Sequence, residues 1–275
     1  MAPARRGPAL IVGTGRCGGT MGAALSAAGI DHSLRPSRRA ADYADVLGRA
    51  DVVLLAVPDD AVATVADGLV AALPAGHLPA VVHLSGVLGL DALAAAERHG
   101  CAVGSLHPCQ SFATVRPPEA LVGVTFAIEA GTADLEARLV ALSRALGGVP
   151  RVVAAADRPA YHASAVLASA GIVALASQAR DLLTGVGWNQ DDALAALLPL
   201  MRSAVEGLAE QGLPGALTGP WRRGDIGTVA RHRATLGAAP AAETYVALAR
   251  EGLELGLRLG LDDQAYRELQ ATLDA

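Results

Sequence analysis

The pattern of apolar positions changes character once along the chain. Up to about residue 153, short apolar runs alternate with longer stretches in which apolar residues recur three or four positions apart. The runs lie at 9–12, 32–34, 51–57, 80–84, 102–106, 124–128 and 151–153, and the periodic stretches at 16–28, 60–73, 89–98 and 132–146. Runs of strand length that are apolar throughout suit strands buried on both faces, with the intervening helices as covering layers. The pattern predicts an α/β domain built on a doubly wound, mostly parallel sheet. After Asp157 the runs cease. Residues 158–184, 190–211, 241–259 and 262–273 carry helical spacing, and the Gly- and Pro-rich segment 212–225 predicts a loop between helices. The expectation is two domains, 1–155 and an all-α 156–275, which agrees with about 150 residues per domain.

The first run leads into Gly13, Gly15 and Gly18, a GxGxxG directly after a strand and at the head of a helix. In that context Gly13 permits the tight turn, Gly15 lets backbone approach a pyrophosphate, and Gly18 allows close helix–strand contact. Thr14, Arg16 and Cys17 complete the loop, and Val57 and Pro58 end the third run at the same sheet edge, so these residues are the expected cofactor-binding set of a Rossmann-like domain. An NAD site places an acid about 20 residues beyond the glycines. Here the second run ends in LRPSRR, and Ser37 and Arg38, with Arg35 and Arg39 nearby, offer groups suited to an adenosine 2′-phosphate. The cofactor expectation is NADP(H); Arg38 and Arg39 also read as the start of a solvated helix, and Asp42 is a late acidic candidate. Cys17 reads either as a thiolate favoured by the helix N-terminus or as a small packing residue.

Composition narrows the chemistry. All 22 basic residues are arginine, which excludes a lysine Schiff base, a P-loop GKS/T and lysine acid–base catalysis. The net charge of -5 offers no basic field for nucleic acid or an anionic membrane surface. Three cysteines, Cys17, Cys101 and Cys109, without CxxC spacing, indicate neither a disulfide framework nor a metal site and fit the cytoplasm. The opening MAPARRGPALIV has too short an apolar run for a signal peptide and reads as a leader feeding a strand. The charge-free stretch between Arg158 and Arg180 is long enough to span a bilayer, but Tyr161, His162, three serines and Gln178 make a buried helix of a soluble protein the expectation.

Without lysine, proton donors are sought among histidines and hydroxyls. His107, followed by Pro108, ends the fifth run at the edge where open α/β sheets collect ligands. His162 opens the long helix leaving the first domain, and Ser85, before Gly86, ends the fourth run at the same edge. These three are the candidate catalytic residues, each also readable as a structural hydrogen-bonding group. His83 reads as a satisfied buried histidine, and His32, His77, His99 and His232 as incidental. Ser169, seven residues after His162, shares its helix face and is a candidate substrate contact, with a hydroxyl serving a backbone carbonyl as the structural alternative. Thr218 and Arg223 in LTGPWRRGD are candidates for a carboxylate substrate; an Arg223–Asp225 pair or an Asp225 helix cap is the structural alternative.

Taken in order, GTGRCGG, DVVLLAVPDDAV, VVHLSG, SLHPCQSF, DRPAYHASAV and LTGPWRRGD resemble bacterial Rossmann-like proteins whose C-terminal helical domain is of unknown function. That family is similar to pyrroline-5-carboxylate reductase, 6-phosphogluconate dehydrogenase, ketopantoate reductase and prephenate dehydrogenase. The resemblance implies a nicotinamide cofactor, a substrate site involving the helical domain, and a homodimer through those helices. His107 with Pro108 resembles the His-Pro element with which prephenate dehydrogenases contact the reacting hydroxyl. The chain departs from relatives that use a lysine in the long helix. Three readings follow: NADPH-dependent reduction of a small 2-oxo acid of the ketopantoate type, reduction of a cyclic imine of the pyrroline carboxylate type, or cofactor binding without turnover as a sensor or scaffold.

Overall fold

The computed structural model describes residues 7–39 and 42–275, so most of the expected N-terminal leader lies outside the described residues. By compactness the chain divides into two units, one running through Ser169 and the other from Ala170 to Ala275. The first unit therefore extends past the expected boundary at 155 and takes in the beginning of the long apolar helix.

Its centre is a seven-stranded sheet in the order β2-β1-β3-β4-β5-β6-β7, formed by Ala9–Val12, His32–Arg35, Val52–Leu55, Ala80–His83, Val103–Pro108, Thr125–Ala130 and Val149–Val152 numbered along the chain. All neighbours pair parallel except β5 and β6. The Rossmann-like, mostly parallel sheet is thus as expected. The alternation within β1 shows why the run is apolar throughout. Ala9 and Ile11 join one core layer with Met21, Leu25, Leu135 and Leu139, whereas Leu10 and Val12 join the other with Leu47, Val62, Ala66 and Leu69. The first layer is supplied by α1 (Arg16–Ala27) and α5 (Ala133–Ala145), the second by α2 (Ala44–Leu47), α3 (Val62–Ala72) and α4 (Ala94–Arg98). α2 has too short an apolar pattern to have been read from the sequence.

The connection from β1 leads outward to β2 and then back past β1 to β3, so the chain reverses direction between β1 and β3. A crevice opens at such a switch point beyond the carboxyl ends of the strands. The last element of this unit is α6 (Arg158–Ala168), entered through a proline in its first turn.

The predicted helix 158–184 is interrupted. Ser169 has φ -127° and ψ -81°, and its hydroxyl donates to Ala165 O at 2.6 Å, a back-bond to the preceding turn that competes with regular helix. Nor is the stretch buried: Ala155–Gly185 is long and apolar enough to cross a membrane, yet the most apolar part of it is unburied, with Leu167 75% and Val173 71% exposed. The expectation of a buried helix is corrected on this point.

In the second unit, α7 (Ala170–Gly185) packs along α8 (Gln190–Gly215). A separate core of Val229, Ala249, Leu253, Leu269 and Leu273 joins α10 (Ile226–Leu236), α11 (Ala241–Arg258) and α12 (Asp263–Asp274). The segment expected to be a loop is more ordered than that. α8 kinks at Gly212, whose φ of 62° only glycine adopts readily, and a one-turn helix α9 (Gly219–Arg223) follows. Asp225 then accepts from Thr228 N at 2.9 Å and caps α10, the structural alternative anticipated for it.

Candidate functional site

The glycine turn and the end of β3 enclose the crevice. Gly13 adopts φ 122°, and its N–H bonds Arg35 O at 2.8 Å, tying the turn to the end of β2. A Cβ on Gly18 would run into Gly13 O, and one on Gly13 into Ala56 O, so both glycines are demanded by packing. Gly15 is different: a Cβ there would meet nothing within 4 Å. It is the N-cap of α1, no side chain caps that end, and the helix N–H groups face outward where an anion could be held. Thr14, Gly15 and Arg16 are exposed.

A cavity of about 320 Å³ lies there, lined by Gly15, Arg16, Cys17, Val57, Pro58 and Ser85 among others. Glycines placed by clashes, an uncapped helix start and open space above Gly15 fit a dinucleotide's pyrophosphate. Burial pushes the Cys17 thiol up to about 12, which removes the thiolate reading and leaves the packing role. Ser37 is half-buried and Arg38 exposed beyond the end of β2, while the Asp42 carboxylate accepts from Arg39 N at 3.2 Å and so closes a local turn.

Ser85 leads from this cavity to the histidines. Its hydroxyl accepts from Val87 N and Leu88 N at 3.2 and 3.1 Å, so its lone pairs are committed to the turn while its proton is not. A Cβ on Gly86 would stand 2.6 Å from His162 Cδ2 and 2.9 Å from His107 Nε2. The Ser85–Gly86 turn therefore has both imidazoles against it, and the two rings lie edge to face with centroids 6.1 Å apart. Three residues separated by up to 77 positions in the chain, Ser85, His107 and His162, meet within the first unit.

Burial lowers the His107 pKa to about 4, with the positive surroundings of His162 and Arg158 acting in the same direction. The imidazole is thus neutral at pH 7 and offers a hydrogen bond, not the proton of an imidazolium. His83 is fully buried as anticipated: Nδ1 accepts from Ser85 N and Nε2 donates to Gly89 O, both at 3.2 Å. The incidental histidines have local partners, His32 with Ile30 O, His77 with Ala50 O and His232 with Tyr245 OH.

Sequence reasoning missed what lies beneath. Arg158 is 1% exposed; its Nη2 donates to Ser85 O at 2.6 Å and Ser105 Oγ at 2.7 Å, and its Nη1 lies 3.5 Å from Glu129 Oε2. It missed Tyr161 as well, whose hydroxyl is 2.8 Å from His107 Nδ1. A signal existed for part of the first group: Ser105 is a lone polar residue within the apolar run 102–106, and Glu129 follows the run 124–128 directly. Ser169 caps the end of α6 through its own backbone bond. Thr218 is the N-cap residue of α9 without a side-chain cap bond, and Arg223 ends that helix. Both belong to the second unit.

Residues 124–251 match the family model described as "Domain of unknown function (DUF2520)". No curated protein matches the sequence. Among solved structures, the chain is similar to a protein of Bacteroides fragilis described as a candidate NADP oxidoreductase, at 22% identity and TM-score 0.71, covering 90% of this chain and 98% of that one. A Thermotoga maritima protein is 23% identical with TM-score 0.68, covering 90% and 98%. Plasmodium falciparum pyrroline carboxylate reductase with NADP bound is 12% identical with TM-score 0.59, covering 98% and 99%. At these identities the likeness is one of fold.

Proposed function

We propose that the chain is an NADP(H)-dependent reductase of a small carboxylate substrate, a 2-oxo acid of the ketopantoate type. The observation that carries this reading is continuity along one sheet edge: Ser85 lines the Gly15 cavity, and the next residue, Gly86, lies against His107 and His162. The solved structures described as NADP oxidoreductases support the cofactor assignment, as do Ser37 and Arg38 beyond β2. A nicotinamide bound in that crevice supplies a hydride equivalent to an electrophilic carbon.

The chain's own residues do the rest. The Gly15 backbone and the start of α1 bind the pyrophosphate. Ser85, whose proton is free, and the two imidazoles orient and stabilise the substrate's reacting heteroatom. Arg223 and Thr218, in the second unit, have the groups that recognise a carboxylate, since a guanidinium binds one with two parallel hydrogen bonds. The enzyme is taken to be cytoplasmic, in keeping with its free cysteines, and a homodimer through its second unit.

A second reading is reduction of a cyclic imine. The neutral state of His107 favours it, because an iminium arrives with its proton and asks only for orientation. Cofactor binding without turnover is the third reading, and only a turnover assay separates it from the other two. Calorimetric titration is expected to give micromolar NADPH binding at least tenfold tighter than NADH, and Arg38→Ala to narrow that ratio. Turnover on a panel of 2-oxo acids and cyclic imines then separates the enzymatic readings, with His107→Ala and His162→Ala losing activity but retaining NADPH. Failure to bind either nucleotide would reject the oxidoreductase assignment.

A further inference from the structure

The two ring nitrogens of His107 have different surroundings. Nδ1 is 2.8 Å from the Tyr161 hydroxyl, with the rings edge to face at 5.6 Å and 85°. On the opposite edge, the position a Gly86 Cβ would take lies 2.9 Å from Nε2 and 3.0 Å from Cε1, beside the His162 ring. One nitrogen is thus tied down inside the unit, and the other faces the turn that borders the cofactor cavity.

We propose that Tyr161 is a positioning residue: its O–H donates to His107 Nδ1 and fixes the tautomer that carries its proton on Nε2, where it is presented to the substrate's heteroatom. This rests on the reductase reading for the identity of the group that receives the hydrogen bond, but the tautomer itself does not depend on turnover.

The direction of the bond follows from the donors and acceptors present. A neutral imidazole has one N–H and one lone pair, so Nδ1 and Nε2 take opposite roles. Burial holds His107 neutral, and burial also raises the Tyr161 pKa, with Cys109 adding to the rise, so the phenol keeps its proton. That proton has two partners within reach, His107 Nδ1 and the Cys109 sulfur. Sulfur is a weak acceptor, so the imidazole lone pair takes the proton. The opposite tautomer would spend the phenol's proton on sulfur alone and leave Nε2 as a lone pair facing the cleft. His83 cannot take over the role, since Ser85 N and Gly89 O occupy both of its nitrogens.

The consequence is a neutral hydrogen-bond donor, suited to stabilising charge that develops on oxygen or to holding an imine's substituents without transferring a proton. The placement also explains Gly86, since a Cβ there would stand 2.9 Å from His107 Nε2 and 2.6 Å from His162 Cδ2.

The test is long-range nitrogen–proton NMR on the full-length, histidine-labelled protein at pH 7, with His107 assigned by the signal lost in His107→Gln. The wild type is expected to show His107 solely as the Nε2–H form. Tyr161→Phe removes only the hydroxyl, and the signals are expected to shift to a mixture of the two tautomers with an unchanged thermal midpoint. Cys109→Ala is expected to retain the wild-type tautomer. On a substrate that turns over, Tyr161→Phe is expected to lower kcat about tenfold with KM little changed, of the order seen for a lost proton-positioning contact. An Nδ1–H signal in the wild type, an identical spectrum in Tyr161→Phe, or a tautomer switched by Cys109→Ala would each overturn the proposal. If the tautomer pattern holds and no substrate turns over, the reductase reading falls while the role of Tyr161 in setting the ring stands.

Discussion

Arg158 Nη2 lies 2.6 Å from the carbonyl oxygen of Ser85, a buried cation gripping the backbone of the turn that borders both the cofactor cavity and the histidines. The same guanidinium reaches Ser105 on β5 and Glu129 on β6, so the head of α6 ties three strand ends together. A buried pair of this kind contributes little net stability over an apolar pair, but removing one partner leaves the other charge uncompensated at a cost of about 3–5 kcal/mol. Arg158→Met is expected to lose stability in that range by denaturant unfolding, and Arg158→Met/Glu129→Leu to recover more than half of it. A single variant within about 1 kcal/mol of wild type would show that the pair does not hold the turn.

The glycines of the nucleotide turn separate packing from binding. Gly15→Ala has open space around it and a φ of -70°, so it is expected to fold with wild-type stability yet weaken NADPH binding at least tenfold by placing a methyl group where backbone must approach phosphate. Gly18→Ala drives its Cβ into Gly13 O and is expected to lower the thermal midpoint as well. Equal affinity in Gly15→Ala and wild type, measured calorimetrically, would remove the cradle from the cofactor site.

Acid sensitivity follows from the two buried imidazoles. His83 and His107 are each lowered from 6.5 to about 4, chiefly by burial. Above pH 6.5 both folded and unfolded chains hold them neutral. Between 6.5 and 4 the unfolded chain binds protons that the folded one refuses, so stability is lost as pH falls across that window and levels off below it. The loss across the whole window is on the order of 3 kcal/mol per imidazole. Denaturant midpoints between pH 6.5 and 5, above the range of ordinary carboxylates, are expected to fall steadily, and less steeply in His107→Gln. A flat profile there would mean that the rings are accessible to protons in the folded state.

The uncovered apolar face of the second unit has a measurable consequence. Val173, Leu200 and Val205 are 71%, 68% and 56% exposed on α7 and α8, more than scattered surface leucines and valines require. Light scattering at tens of micromolar is expected to give a dimer, and Leu200→Glu a monomer at the same concentration. A monomeric wild type would end the homodimer reading and leave that face to another partner.

The central strands of the first unit were legible to within a few residues because burial on both faces makes each a continuous apolar run, as Ala9–Val12 illustrates, whereas the edge strands His32–Arg35 and Val149–Val152 are respectively half-buried and mostly exposed and carry a weaker pattern. The cofactor turn was legible because its glycines are needed for reasons of local geometry, at Gly13 by φ and at Gly18 by contact with Gly13 O. Less local features were not. The break at Ser169 depends on one hydroxyl choosing the carbonyl four residues back. The one-turn helix at Gly219–Arg223 arises in a segment whose glycines and prolines predict a loop, since they mark its ends as readily as they would forbid it.

Sequence alone determined the class of the first unit, the crevice with its glycines, and the short list of groups able to do chemistry, since lysine is absent and His107 and Ser85 each end a strand. Periodicity and turn chemistry are short-range, and a single chain displays them directly. Tertiary structure alone decided that His107 is neutral, that Ser85's lone pairs are spent on its own turn, and that Arg158 and Tyr161 stand behind both. The neutrality of His107 and the contacts of Arg158 and Tyr161 come from desolvation and from partners more than 50 positions away in the chain, as Tyr161 is from His107 and Arg158 is from Ser85, and neither burial nor such pairing has any periodic trace in the order of the residues.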